Sequence, residues 1–286
     1  MGNNFIQKIL NKICKSKIIN NKDISQEQIE NIEVSKYDEE KIYFDNDGHT
    51  WLTLNRIYIT DNIYIRIPTV GEVLENESNY YSTVFAFTSS PYSFMAQLDE
   101  MGIDFTEIND YQLFTIYFSI LCKSDLSLIF GDLNTEDYLI CKDNSNDTIV
   151  AYSQKNGDEY KIDELIYTRI ASVLRKINNL KRDNRKPGND TTKEYLLRKA
   201  KRKLKRNANK PYEPYLEKLV VALVNRPEFK YNYEEVMNMS IYNFNQSFKQ
   251  IQSSITFDNT MIGVYAGTIN TTKLADKSCL SWIPIK

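Results

Sequence analysis

Apolar residues recur at helical spacing along most of the chain after residue 69. Thr69 and Glu72 have the spacing of a capping box directly after Pro68, which predicts a helix start there. Residues 110–123 are rich in apolar residues and predict a buried core helix, whereas residues 163–180 form the clearest amphipathic helical pattern of the middle region. Further helices are predicted over residues 93–101, 195–207 and 215–225, and from Ile241 onward.

Short β-branched and aromatic runs dominate residues 41–67. Four such runs, at residues 42–44, 51–54, 57–59 and 63–65, alternate with turn-forming Asp and Asn residues, which predicts a small antiparallel meander. An Asn156-Gly157 pair between two more such runs predicts a second hairpin. The predicted fold class is therefore α+β: a mostly helical body with a small antiparallel β-meander near the N-terminus.

Changes in composition divide the chain into four predicted parts. Residues 1–40 combine a short amphipathic helix over residues 5–19 with a polar linker. Residues 41–180 form the predicted α+β domain, and residues 181–211 form a basic helical excursion. Residues 212–286 form a C-terminal helical segment with a glycine-punctuated end.

Charge is distributed very unevenly along the chain. The net charge is −2, yet residues 175–210 hold fifteen Lys and Arg against three acids, about +12, so the remainder carries about −14. A predicted capping box at Thr191 and Glu194 begins the helix that carries most of these charges. The candidate contact residues on this helix are Arg198, Lys199, Lys201, Arg202, Lys203, Lys205 and Arg206.

Two interpretations of the basic helix stay open at the level of sequence. Its cations can neutralise nucleic-acid phosphates, in which case binding weakens steeply with salt. Alternatively, the helix faces acidic residues of its own chain or of a protein partner. Few aromatic residues accompany the charges, so base stacking is not indicated.

The predicted helix that Ser240 caps carries an apolar seam, which is the candidate partner-binding surface. Its residues fall at intervals of three and four, as helix packing requires. They are Ile241, Phe244, Phe248, Ile251 and Ile255. Such a seam is typical of a core as well as of an interface, and both interpretations stay open.

The residue types that most catalytic sites need are scarce in this chain. His49 is the only histidine, the four cysteines are widely spaced, and no nucleophile-elbow, phosphate-loop or dinucleotide motif is present. We therefore expect a non-enzymatic protein without a metal or cofactor, with a metal nuclease built from scattered carboxylates as the remaining catalytic alternative. No apolar run reaches membrane-spanning length, and a cytosolic protein without membrane contact is expected.

Several patterned segments of the C-terminal third are similar to proteins of phages that infect Firmicutes. They are Phe229-Lys230-Tyr231-Asn232-Tyr233, residues 239–247, Gly263-Val264-Tyr265-Ala266-Gly267 and Ser281-Trp282-Ile283, with shorter pieces at residues 67–72 and 125–133. Together they resemble phage tail assembly chaperones, which hold the helical tape measure protein before the tail tube polymerises around it.

The resemblance implies a non-catalytic assembly protein that binds another virion protein, either the tape measure protein or another tail component. It would act in the cytoplasm of the infected host cell, with virion association and oligomerisation both compatible with such a role. A nucleic-acid-binding protein that uses the basic helix at residues 195–206 is the alternative function.

Overall fold

The computed structural model describes residues 41–44, 50–121, 124–131, 139–143, 148–155, 158–208 and 210–283. The predicted helix over residues 5–19, the linker that follows it and the turn containing His49 lie outside the described residues.

The described strands form two small antiparallel sheets. Strands β1 (Arg56–Tyr58) and β2 (Tyr64–Arg66) pair with Ile57 opposite Ile65, and both isoleucines are buried. Strands β3 (Leu139–Asp143), β4 (Thr148–Lys155) and β5 (Asp158–Ile162) form the second sheet in sequence order. The predicted hairpin around residues 156–157 corresponds to β4 and β5, and the predicted α+β class with a mostly helical body is confirmed.

Ten α-helices account for most of the described residues. They are α1 (Val70–Glu75), α2 (Glu77–Thr88), α3 (Met95–Glu100), α4 (Asp110–Leu121), α5 (Ser127–Phe130), α6 (Glu164–Ile177), α7 (Asp190–Asn207), α8 (Leu216–Val224), α9 (Tyr233–Asn238) and α10 (Ile241–Tyr265).

Side-chain caps explain several of the helix starts. Thr69 and Glu72 form the predicted capping box of α1, and Ser240 caps α10 as predicted. The predicted box at Thr191 is wrong: Asn189 caps α7 by accepting a hydrogen bond from the Thr192 amide, so the cap lies two residues earlier than predicted.

The run at residues 51–54 is not the predicted strand. Trp51–Thr53 is a 3-10 turn whose first residues are held by the Thr50 hydroxyl, which accepts a hydrogen bond from the Leu52 amide. The turn places the Trp51 ring against Tyr242, with ring centroids 5.7 Å apart, and 3.6 Å beneath the Lys176 ammonium. Tertiary contacts therefore override the strand propensity of this run.

An aromatic cluster lies at the centre of the core, between α2, α4 and α6. Phe87 contacts Phe114, Phe118 and Phe130, and Tyr167 stacks on Phe114. The buried Tyr167 hydroxyl donates to the Phe87 carbonyl at 3.1 Å, so its polar atom is satisfied inside the cluster.

The C-terminal helices complete this same core. Val70 N donates to Met239 O at 2.9 Å, and Ile241 N donates to Pro68 O at 2.8 Å. These bonds clamp the start of α1 to the junction of α9 and α10. Buried residues of α8, α9 and α10, such as Val220 and Phe244, belong to one hydrophobic cluster with the residues of β1 and β2.

Helix α10 is longer than its apolar seam. It continues through Gly263 to Tyr265, and Gly267 follows in the left-handed region at φ +71°. The chain then folds back, since Thr268 N and Ile269 N both donate to Gly263 O. A side chain at position 263 would collide with that of Ile269, so the absence of a Cβ permits this close return.

Candidate functional site

The predicted apolar seam of α10 changes depth along its length. Ile241 and Phe244 are 0 % exposed and lie in the core, whereas Phe248 and Ile255 are only partly buried. Ile251, between them, is 7 % exposed. A partner can therefore reach only the portion of the seam that begins at Phe248.

That portion borders an open depression, the apolar groove, between α8 and α10. The groove has a volume of 550 Å³. Its lining residues are Leu219, Ala222, Leu223, Arg226, Phe248, Ile251, Gln252, Ile255 and Thr256. Spacings of three and four residues put the lining residues of each helix on one face, and Arg226 follows the end of α8. Among the lining residues, Arg226, Gln252 and Thr256 have polar side chains.

The basic helix α7 is attached to the body by one face. Lys193 forms an ion pair with Asp104, Lys201 forms one with Asp99, and α7 contacts α3. The apolar residues of this face, Leu197, Ala200 and Leu204, are only half-buried, and α7 has no fully buried side chain. Lys201 is thus the predicted contact residue that pairs with an acid of its own chain.

The opposite face of α7 carries five cations, which we call the basic stripe. They are Arg198, Lys199, Arg202, Lys203 and Arg206, and all are exposed. Tyr195 is 59 % exposed and lines the same shallow surface. Among the described residues, no carboxylate forms an ion pair with any member of the stripe. Lys205 is exposed beside it.

A second concave region, the loop cleft, lies where residues 182–190 cross residues 90–110. It has a volume of 660 Å³. Three of its four cations are paired with acids: Arg182 with Asp110, Arg185 with Asp183 and Lys193 with Asp104. Because the charges are nearly balanced, the cleft offers no strong field to a charged ligand.

A buried carboxylate fixes the chain where it returns from α7 to the body. Glu77 Oε1 accepts hydrogen bonds from Tyr215 N and Tyr212 Oη, both at 2.8 Å, and from Leu216 N at 3.1 Å. Burial raises the pKa of Glu77, but these three hydrogen bonds outweigh it and leave the pKa below its usual value. Burial and the bond to Glu77 raise the pKa of Tyr212 to about 12.

Sequence reasoning missed Glu77 because its donors lie 135–139 residues away along the chain. The only local signal is its position in the first turn of α2, where acids are common. Glu77 caps the N-terminus of α8 from outside the helix, by accepting from the amides of Tyr215 and Leu216. Helix α8 has no side-chain cap from its own N-cap residue.

The described residues show neither a metal-binding cluster nor a membrane-spanning helix. They contain no group of three His, Cys, Asp or Glu side chains that could hold a metal ion. Within the same ranges, no helix combines the length and apolar character required to cross a bilayer.

Comparison with known protein families gives a similarity that falls on the region of the groove. Residues 205–285 match the model of a phage-associated family described as the YomV second domain. The match begins at the end of α7 and includes all of α8, α9 and α10. Searches among curated proteins and among solved structures each found no match.

Proposed function

We propose that this chain is a non-catalytic phage protein that binds another virion protein through the apolar groove. The observation that carries the proposal is the groove itself, an open depression between two helices that is lined in part by apolar side chains and lies inside the segment similar to a phage-associated family. The finer proposal is a tail assembly chaperone for the tape measure protein, and a related tail component would use the same groove.

The shape and chemistry of the groove suit a helical segment of the partner. An amphipathic helix binds such a channel by its apolar face, with anchors at i, i+3 or i+4 and i+7. Each partner side chain of leucine size that becomes fully buried contributes about 1.5–3 kcal/mol. Arg226 and Gln252, at the groove, can pair with the polar flank of such a helix.

The proposal is tested by blocking the groove with one charged side chain. Ala222 is exposed and lines the groove, so Ala222→Arg fills the channel without disturbing the core. Tagged protein is captured from phage-producing cells, with nuclease present and with a high-salt wash. Wild-type protein is expected to retain a large helical virion protein, and Ala222→Arg is expected to bind it at least about tenfold more weakly, or about 1.4 kcal/mol.

A matched control separates the groove from the rest of α8. Val221 is the preceding residue, is 46 % exposed and does not line the groove. Val221→Arg adds the same charge to the same helix and should bind the virion protein like the wild type. Equal recovery by all three proteins, or recovery of no virion protein by the wild type, would refute the proposal.

A further inference from the structure

The way α7 is attached to the body determines which of its charges are available to a ligand. Lys193 and Lys201 form ion pairs with the body, and this orients the basic stripe away from it. Five cations on one helical face, with no ion-pair partner in the part of the chain that the structure describes, create a positive field that attracts anions of another molecule.

We propose that the basic stripe binds the phosphate backbone of double-stranded DNA, without reading its sequence. From Arg198 to Arg206 the stripe extends about 12 Å along the helix, at 1.5 Å per residue. A duplex presents roughly seven phosphates over that length. Five cations over this length are comparable in number to the phosphates, and the three arginines can hold phosphate oxygens with two hydrogen bonds each.

The composition of the stripe favours nucleic acid over an acidic protein. Protein interfaces have an apolar or aromatic centre and are poor in Lys, because their affinity comes from desolvated anchors. The stripe has no apolar centre, and Tyr195 at its end is the one aromatic side chain on that surface. Interfaces with DNA are more polar and much more positively charged. The Tyr195 hydroxyl, which is exposed, adds a neutral donor for a phosphate oxygen.

The test compares two variants of the full chain that have the same net charge. The stripe variant carries Arg198→Gln, Lys199→Gln, Arg202→Gln and Arg206→Gln. The control variant carries Lys218→Gln, Lys230→Gln, Lys273→Gln and Lys277→Gln, four exposed positions away from α7. Gln has good helix propensity, and Lys201 is left in place, so α7 should stay formed and docked in the stripe variant. Circular dichroism checks that it does.

Binding to a fluorescent 30-base-pair duplex is measured by anisotropy between 50 and 200 mM NaCl. With five phosphate contacts, the slope of log K against log salt should be about −4.5, which is about a 500-fold loss of affinity over this range. The control variant should keep that slope. The stripe variant should bind much more weakly at 50 mM NaCl, with a slope near −1.

Three outcomes would overturn the proposal. One is no duplex binding by the wild type at 50 mM NaCl, and another is the same slope in both variants. The third is displacement of the duplex by poly-glutamate of equal total charge as efficiently as by unlabelled duplex, which would identify the stripe as a surface for acidic protein. The groove variant Ala222→Arg should bind the duplex like the wild type. Its result therefore separates failure of virion-protein binding at the groove from failure of DNA binding at the basic stripe.

Discussion

Glu77 is a buried carboxylate on which three donors from a distant part of the chain converge, two of them backbone amides of Tyr215 and Leu216. Glu77→Ala leaves these amides without an acceptor in a buried setting. We expect the free energy of unfolding to fall by about 2–3 kcal/mol, since an unsatisfied buried group costs about 1–3 kcal/mol. Urea denaturation at pH 7 measures the loss.

A second substitution at this position isolates the charge of the carboxylate. Glu77→Gln keeps an oxygen acceptor and removes the negative charge. Folding lowers the pKa of Glu77, so the unfolded state binds more protons than the folded state near the ordinary pKa of a glutamate. The charge of Glu77 therefore makes its full contribution to the free energy of unfolding above the ordinary pKa. That contribution is lost as the pH falls through the lower pKa of the folded state. The stability difference between wild type and Glu77→Gln should be constant above about pH 6. It should shrink below about pH 4, as the Glu77 carboxyl of the wild type becomes protonated. A difference that does not change down to pH 3 would contradict this account.

Among single residues, the roles that depend on near neighbours in the sequence were predictable, and those that depend on distant residues were not. The Thr69 capping box and the Ser240 cap depend on residues three positions apart, and the sequence predicted both. At α7 the predicted cap at Thr191 was wrong, and Asn189 caps the helix instead. Both residue types cap well, and only the backbone decides which of them does so. Glu77 was missed because its role depends entirely on tertiary contacts.

Within the single element α10, two members of the apolar seam should respond very differently to truncation. Phe244→Ala removes a fully buried ring that contacts Phe229, and it should cost about 3–5 kcal/mol of stability. Ile255→Ala removes a partly exposed side chain at the groove and should cost about 1 kcal/mol. Guanidinium denaturation of both variants measures this contrast. Equal losses would mean that the seam has the same depth throughout.

The different burial of Phe244 and Ile255 shows what the spacing of apolar residues can and cannot predict. Spacing predicted the helix, the seam and the cationic face of α7, since these depend on the period of 3.6 residues. It left the core and partner interpretations of the seam open, because depth depends on what packs against the helix. The run at residues 51–54 was misassigned for a related reason: its strand propensity was overridden by the contacts of Trp51 with Tyr242 and Lys176.

For the whole molecule, one continuous core predicts one cooperative transition across residues 41–283. Trp51 packs on Tyr242 of α10, so its fluorescence reports contact between the two ends of this region. In Trp282→Phe, Trp51 is the only tryptophan of the chain. Its fluorescence change and the loss of helical circular dichroism should coincide during urea unfolding.

An earlier fluorescence transition would mean that the C-terminal helices separate before the rest unfolds. The division of the chain at residues 181 and 212 stays a prediction from composition, and this measurement addresses it directly. The backbone bonds between Pro68 and Ile241 and between Val70 and Met239 are the reason to expect a single transition.

The basic excursion is held to the body on both sides of α7. Before α7, Arg182 forms an ion pair with Asp110, and after it, Tyr212 donates a hydrogen bond to Glu77. Between these anchors no side chain of α7 is fully buried. Substitutions there therefore cost little packing energy. Over evolutionary time this segment can gain, lose or rearrange charged residues while the anchors and the core stay unchanged. Among descendants of this chain, we expect ligand preference to diverge first in the excursion, with α8, α9 and α10 changing more slowly.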